Sequence, residues 1–217
     1  MQSSASPTGA LPFGEPTPLG LLGLSIGCGA LLPIAFGMIP PEPARAAALF
    51  STAAWFCLLF GAGCQFLAGM MSLANKNTLG GTLLTTFSFN WVMNWYALRE
   101  ASEGRMVDPT IVLAVDLTFL VIFVVLTYAF GFFSKLLFAF LLDIDLLYVL
   151  RIARHFTAPG DALFGTLSLG IAVATLLLMA IALYIAFAML VNPASGRTVF
   201  PIAGPMWAPK PPAPPSA

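Results

Sequence analysis

The sequence predicts an all-α membrane protein with six transmembrane helices per protomer, and three observations predict it. Hydrophobic residues fill 59% of the 217 positions and charged residues only 8%, against about 25% charged in soluble domains. The mean hydropathy is +0.93. Six apolar runs come close to or exceed the ~20 residues that a helix needs to cross the hydrocarbon core. The formal net charge is zero, so no electrostatic footprint for nucleic acid is present.

The chain divides into a polar tail (1–17), a helical membrane domain (18–191) and a proline-rich tail (192–217). No Lys or Arg precedes the first apolar run, so that run is read as retained and not as a cleaved signal peptide. The first helix spans about Pro18 to Ile39, with Thr17 as N-cap and Pro18 as first helical residue. Its N–H groups and positive dipole end face the membrane mouth, where an anion can bind. Gly20, Gly23 and Gly27 follow, at a spacing that lets membrane helices pack closely.

The second helix runs from about Ala46 to Leu73 and the third from Leu79 to Leu98, followed by a charged loop. The fourth covers Thr110 to Phe130, the fifth Leu136 to Ala153 and the sixth Ala162 to Val191. The residues beyond Pro201 are expected to be disordered. An even number of spans puts both ends on one side. Lys76, Lys135, Arg197 and Lys210 on that side, against Arg45, Arg99, Arg105, Arg151 and Arg154 on the other, do not orient the protein.

Polar residues inside the runs are the candidates for function. Thr82, Thr86, Asn90 and Asn94 recur every four residues and form a slowly rotating face on the third helix. Gln65, flanked by Gly61 and Gly69, makes a similar face on the second. These faces serve either interhelical hydrogen bonding or a hydrated path. Asp116, Asp143 and Asp145 lie within apolar runs, where a charge costs at least about 2.5–3.5 kcal/mol. Either Asp145 or Asp116 pairs with Lys135 or Arg151, or an aspartate carries protons. Asp143 and Asp145, two apart, point to different faces. Arg151 and Arg154 sit nearer the helix end and can snorkel.

Cys28, Cys57 and Cys64 lie in apolar runs and read as packing residues, and the lone histidine is His155. No metal site and no cofactor are expected. No Ser/His/Asp set, P-loop or dinucleotide-binding loop can be assembled, so the chain is not read as an enzyme.

Three stretches resemble, in order, the acetate uptake transporter family, the succinate–acetate permeases. Pro16-Thr17-Pro18-Leu19-Gly20-Leu21 is similar to the family's Asn-Pro-Ala-Pro-Leu-Gly-Leu. The run Phe60 to Gly69, with Asn77-Thr78-Leu79-Gly80 and Thr85 to Trp91, resembles its second-to-third-helix signature. Gly196-Arg197-Thr198-Val199-Phe200-Pro201-Ile202 resembles its terminal Gly-Arg-Thr-x-x-Pro-Ile.

The resemblance implies a hexamer of six-helix protomers in the cell membrane, each with its own pore and cytoplasmic termini. It implies passage of acetate, succinate and related short carboxylates, by proton symport or as an anion channel. It places an apolar gate at Leu24, Phe87 and Ile144. The polar lining falls to Glu15, Thr17, Gln65, Asn77, Thr78, Thr86, Asn90 and Asn94, and proton coupling to Asp116, Asp143 and Asp145.

This chain departs from the pattern at several places. Glu15 replaces the leading Asn, and Phe60-Gly61-Ala62 replaces Tyr-Gly-Gly. Ser88-Phe89-Asn90 replaces Gly-x-Phe, and the fifth helix gains Asp143 and Asp145. A pore for a small neutral solute (ammonia, urea or an amide) and a non-transporting membrane sensor of the same fold therefore stay open as alternatives.

Overall fold

The computed structural model describes residues 12–207. The tail before residue 12 and the proline-rich end beyond 207, Lys210 included, lie outside the described residues. Six helices are present among them: α1 (Thr17–Ala35), α2 (Pro43–Ala74), α3 (Thr78–Ser102), α4 (Pro109–Phe130), α5 (Lys135–His155) and α6 (Ala162–Ser195). Successive helices run antiparallel, so the starts of α1, α3 and α5 share a face with the ends of α2, α4 and α6. We call this the termini face.

Around the ring, α1 packs between α2 and α6, α2 carries α3 on its other side, and α5 joins α6 to α4. The ring closes at the α3–α4 seam through side chains, with the Phe87 and Phe123 rings 5.1 Å apart and edge to face. Four helices (α1, α2, α4 and α6) are long and apolar enough to cross a membrane by composition alone. The other two, α3 and α5, have 25 and 21 residues, or roughly 38 and 32 Å at 1.5 Å per residue. They reach across as well, but their asparagines, aspartates and arginines lower their apolarity. Large apolar side chains such as Leu59, Leu67, Val121 and Val125 cover the outside, as a lipid-facing surface requires. The chain is an integral membrane protein.

The helix starts differ from expectation in one instructive way. Thr17 is already helical, Pro16 is the N-cap, and Thr17 makes no capping bond. The cap is the Glu15 carboxylate, which accepts from the Thr17 N–H at 3.0 Å and from the Thr17 hydroxyl. A carboxylate at the positive end of the helix dipole is favourable, and its longer arm lets it reach where a threonine cap was expected. Elsewhere Asn77 caps α3 through Gly80 N–H at 2.9 Å, and Asp108 caps α4 through Ile111 N–H at 3.0 Å.

Helix α1 also ends four residues early, at Ala35 and not Ile39. Pro33 and Gly37 are responsible: Gly37 takes the left-handed φ of 73°, and Met38 N–H turns back to the Pro33 carbonyl at 2.8 Å, closing the helix end. Helix α6 runs past Val191 to Ser195 and stops at Gly196, φ 64°.

The glycine seam is a packing device. The middle of α2, Cys57–Cys64, is π-helical, and α1 lies directly against it. A Cβ on Gly23 would stand 2.5 Å from the Phe60 carbonyl oxygen and 2.3 Å from Cys64 Cβ. Gly27 and Gly61 together leave the slot for the Trp91 indole, which a Cβ would meet at 2.8 Å and 2.5 Å respectively. Gly23→Ala meets backbone and cannot be relieved by a side-chain rotation. It is expected to lower stability by about 1–3 kcal/mol, read as a fall in thermal midpoint of the detergent-purified protein. An unchanged midpoint would show that the α1–α2 contact yields.

The segment after α6 is ordered to Trp207, against the expectation of disorder from Pro201 onward. Asn192 organises it: its side-chain oxygen accepts from Val199 and Phe200 N–H at 2.8 and 2.9 Å, and its amide donates to the Phe200 carbonyl. The strand-like return then reaches the α4–α5 turn. Lys135 N–H donates to Gly204, Met206 N–H donates to Gly131, and the Trp207 indole donates to Tyr128. Trp207 supplies apolar surface to anchor the segment, packing on Tyr128 and Phe138. Gly131 leaves room for it: a Cβ there would sit 2.2 Å from the indole nitrogen.

Candidate functional site

Inside the ring a cavity of about 480 Å³ opens on the face opposite the termini. Its rim consists of helix ends: Ala35 closing α1 and Gly37 just after it, Leu98 on α3, and Arg151 and Arg154 on α5. Its walls carry Asn90, Asn94, Tyr148, Ser168 and Thr175, and its floor carries Cys28, Phe87, Trp91 and Ile144. The two helices with the least apolar sequences, α3 and α5, thus supply most of its polar groups.

The polar wall is tied together across three helices. Tyr148 donates its hydroxyl to the Asn90 side-chain oxygen at 3.1 Å. The Tyr148 ring stacks with Phe119 and Phe123 of α4. The Arg151 guanidinium lies 5.6 Å from the same ring and 3.0 Å from the Asp116 carboxylate. Of the alternatives for Asp116, pairing with Arg151 is the one observed. Arg154 sits over the Phe164 ring at 5.7 Å.

Below the floor the packing is apolar. Leu24 and Ile144 are 0% and 1% exposed and Phe87 is 5% exposed, all in one apolar cluster with Leu21 and Leu178. Phe87 and Ile144 reach the cavity, whereas Leu24 stands one turn of α1 deeper, beneath Cys28.

The remaining candidates are dispersed. Thr86 lies in a separate, outward-facing groove between α3 and α4 with Thr85, Phe89 and Thr118. Residues four apart advance by 40° around a helix, and from Thr86 to Asn94 that drift carries the face from the seam into the cavity. Gln65 is buried, its oxygen without a partner among the described residues. On the termini face, Asn77 is spent on its cap, Thr78 opens α3, and Glu15 and Thr17 bond each other. Asp145 accepts from the Thr127 hydroxyl at 2.7 Å. Asp143 is buried with neither oxygen hydrogen-bonded among the described residues. Neither of these aspartates lines the cavity.

Sequence reasoning left out Tyr148, took Arg154 only as a snorkelling residue, and named Arg151 as a snorkelling residue or an ion-pair partner of an aspartate, the pairing with Asp116 being the one found. A signal was present: Ile144, Tyr148 and Arg151 stand at i, i+4 and i+7, one face of α5.

The solved structure of the bacterial acetate channel SatP superposes with a TM-score of 0.71, covering 88% of this chain and 99% of that one at 19% identity. The chain has the fold of SatP. A glyoxylate pathway regulator from Yarrowia lipolytica is 32% identical over 104 residues, 48% of this chain but only 36% of that protein. The chain therefore matches little more than a third of that relative's length. No protein-family model matches the sequence.

Proposed function

We propose that this protein is a membrane pore for acetate and related short carboxylates, assembled as a hexamer in the cell membrane. The observation that carries the proposal is the guanidinium-lined vestibule standing directly above the buried Leu24–Phe87–Ile144 cluster, in a fold shared with an acetate channel. A cationic mouth concentrates anions. An apolar constriction passes a small solute that sheds its water and holds back hydrated ions. Coupling to protons belongs to the same proposal, with Asp143 and Asp145 as the candidate carriers, since Asp116 is paired with Arg151.

Uptake of labelled acetate into cells lacking their own acetate uptake, with and without this protein, is the test. Uptake above the empty-vector control supports the proposal. Flux of urea or ammonia alone would replace it with the neutral-solute pore, and no flux of either with the sensor. Native mass spectrometry in detergent reads the hexamer.

Glu15 gives a second handle. Its carboxylate guards the start of α1, where Glu15→Asn is expected to raise acetate flux at low salt, with the difference from wild type shrinking as salt screens the mouth. Flux curves that superimpose at every salt concentration would leave Glu15 as a helix cap only.

A further inference from the structure

We propose that the vestibule is built to hold one negative charge at a time, with Arg154 as the residue that holds the carboxylate and Asp116 as the residue that limits the count. This rests on the carboxylate reading above and sharpens its substrate class to monocarboxylates.

The face carries five arginines, and four have an acid of their own. Arg45 lies 3.7 Å from Glu42, Arg99 2.7 Å from Glu103, and Arg105 pairs with both Glu100 and Glu103. Arg151 lies 3.0 Å from Asp116, which is 4% exposed and sits behind it on α4. Arg154 alone has no acid within ion-pair distance among the described residues. It is half-buried, lines the cavity and stands one turn from Arg151.

No carboxylate lines the cavity itself, so its counter-charge is one. Arg154 has neutral donors about it in the same cavity. Asn94 offers an amide, and the Ser168 hydroxyl is buried without a partner among the described residues. The other titratable groups at this end are His155, exposed beside Arg154, and Asp161 at the start of α6, also exposed. Neither lines the cavity. A second carboxylate on the same ligand would meet only neutral lining, with Asn90, Tyr148 and Thr175 among Leu98, Leu147 and Ile171, and no cation left unpaired; burying an unpaired charge is costly. Arg151 stands 3.0 Å from Asp116, so its positive charge is already offset before a second carboxylate arrives.

The test is competitive uptake of acetate and succinate, with thermal stabilisation of the purified protein by each anion as a readout that needs no transport. Arg154→Gln is expected to raise the acetate KM at least tenfold and abolish stabilisation by acetate, with Arg154→Lys recovering part of both. Asp116→Asn frees Arg151 and is expected to raise the succinate-to-acetate ratio at least tenfold. The double variant Asp116→Asn, Arg151→Gln returns the charge to one and is expected to restore the wild-type ratio. It also guards against a loss of folding from unpairing Arg151 alone. An unchanged ratio in folded Asp116→Asn, or an unchanged KM in Arg154→Gln, overturns the proposal. If the wild type carries no carboxylate but is stabilised by acetate in an Arg154-dependent way, the transport reading fails and this one stands.

Discussion

Phe87→Ala is expected to enlarge the pore and admit carboxylates that the wild type excludes. The Phe87 ring sits at the cavity floor, 5.1 Å from Phe123 and 6.2 Å from Trp91, and is 5% exposed. Removing it takes out the aromatic bridge across the α3–α4 seam, where side chains and not backbone contact close the ring. Truncating a buried phenylalanine costs about 3–5 kcal/mol, so the variant should also unfold at a lower temperature. Phe87→Leu keeps most of the volume and is the graded control. Uptake of a series from acetate to butyrate and benzoate reads the effect. A cutoff that stays put in folded Phe87→Ala would remove Phe87 from the constriction and leave it a packing residue.

Asp143→Asn is expected to act in the opposite direction on stability. Asp143 is 5% exposed in the middle of α5, and neither oxygen meets a donor or cation among the described residues. Its neighbour Asp145 at least receives the Thr127 hydroxyl. An uncompensated charge at that depth costs at least about 2.5–3.5 kcal/mol, so removing it should raise the thermal midpoint of the detergent-purified protein. A group kept at such a cost is a candidate for work, and if Asp143 carries the coupled proton, Asp143→Asn should flatten the pH dependence of acetate uptake. A stabilised variant with the wild-type pH profile would assign the cost to something other than coupling. A variant that is neither stabilised nor altered in profile would mean that Asp143 has a partner in the assembled protein.

Much of this architecture is legible in the sequence because lipid imposes it. The six apolar runs mark six helices, and Gly23 with Gly27 marks a close seam, Gly23 against the α2 backbone and Gly27 against the Trp91 ring. Less legible is anything set by side-chain reach. The cap on α1 went to Thr17 by residue type, but the longer arm of Glu15 takes it. The π-helical stretch in α2 leaves no composition signal. Arg151 and Arg154 read as snorkelling residues because a helix end in lipid normally sends its cations outward. Here the helix end borders a cavity, and the rings beneath them, Tyr148 under Arg151 and Phe164 under Arg154, show that both line it.

The bonds from residues 203–207 to the α4–α5 turn have a consequence for biogenesis. The Trp207 indole donates to a carbonyl 79 residues earlier in the chain. At translation rates of about 5–20 residues per second, Tyr128 waits roughly 4–16 s for that partner. Through this interval the turn of the α4–α5 hairpin lacks the partners that residues 203–207 later give it. The latch on that turn is therefore a late event in synthesis, set by the emergence of a short return segment and not by the insertion of any one span.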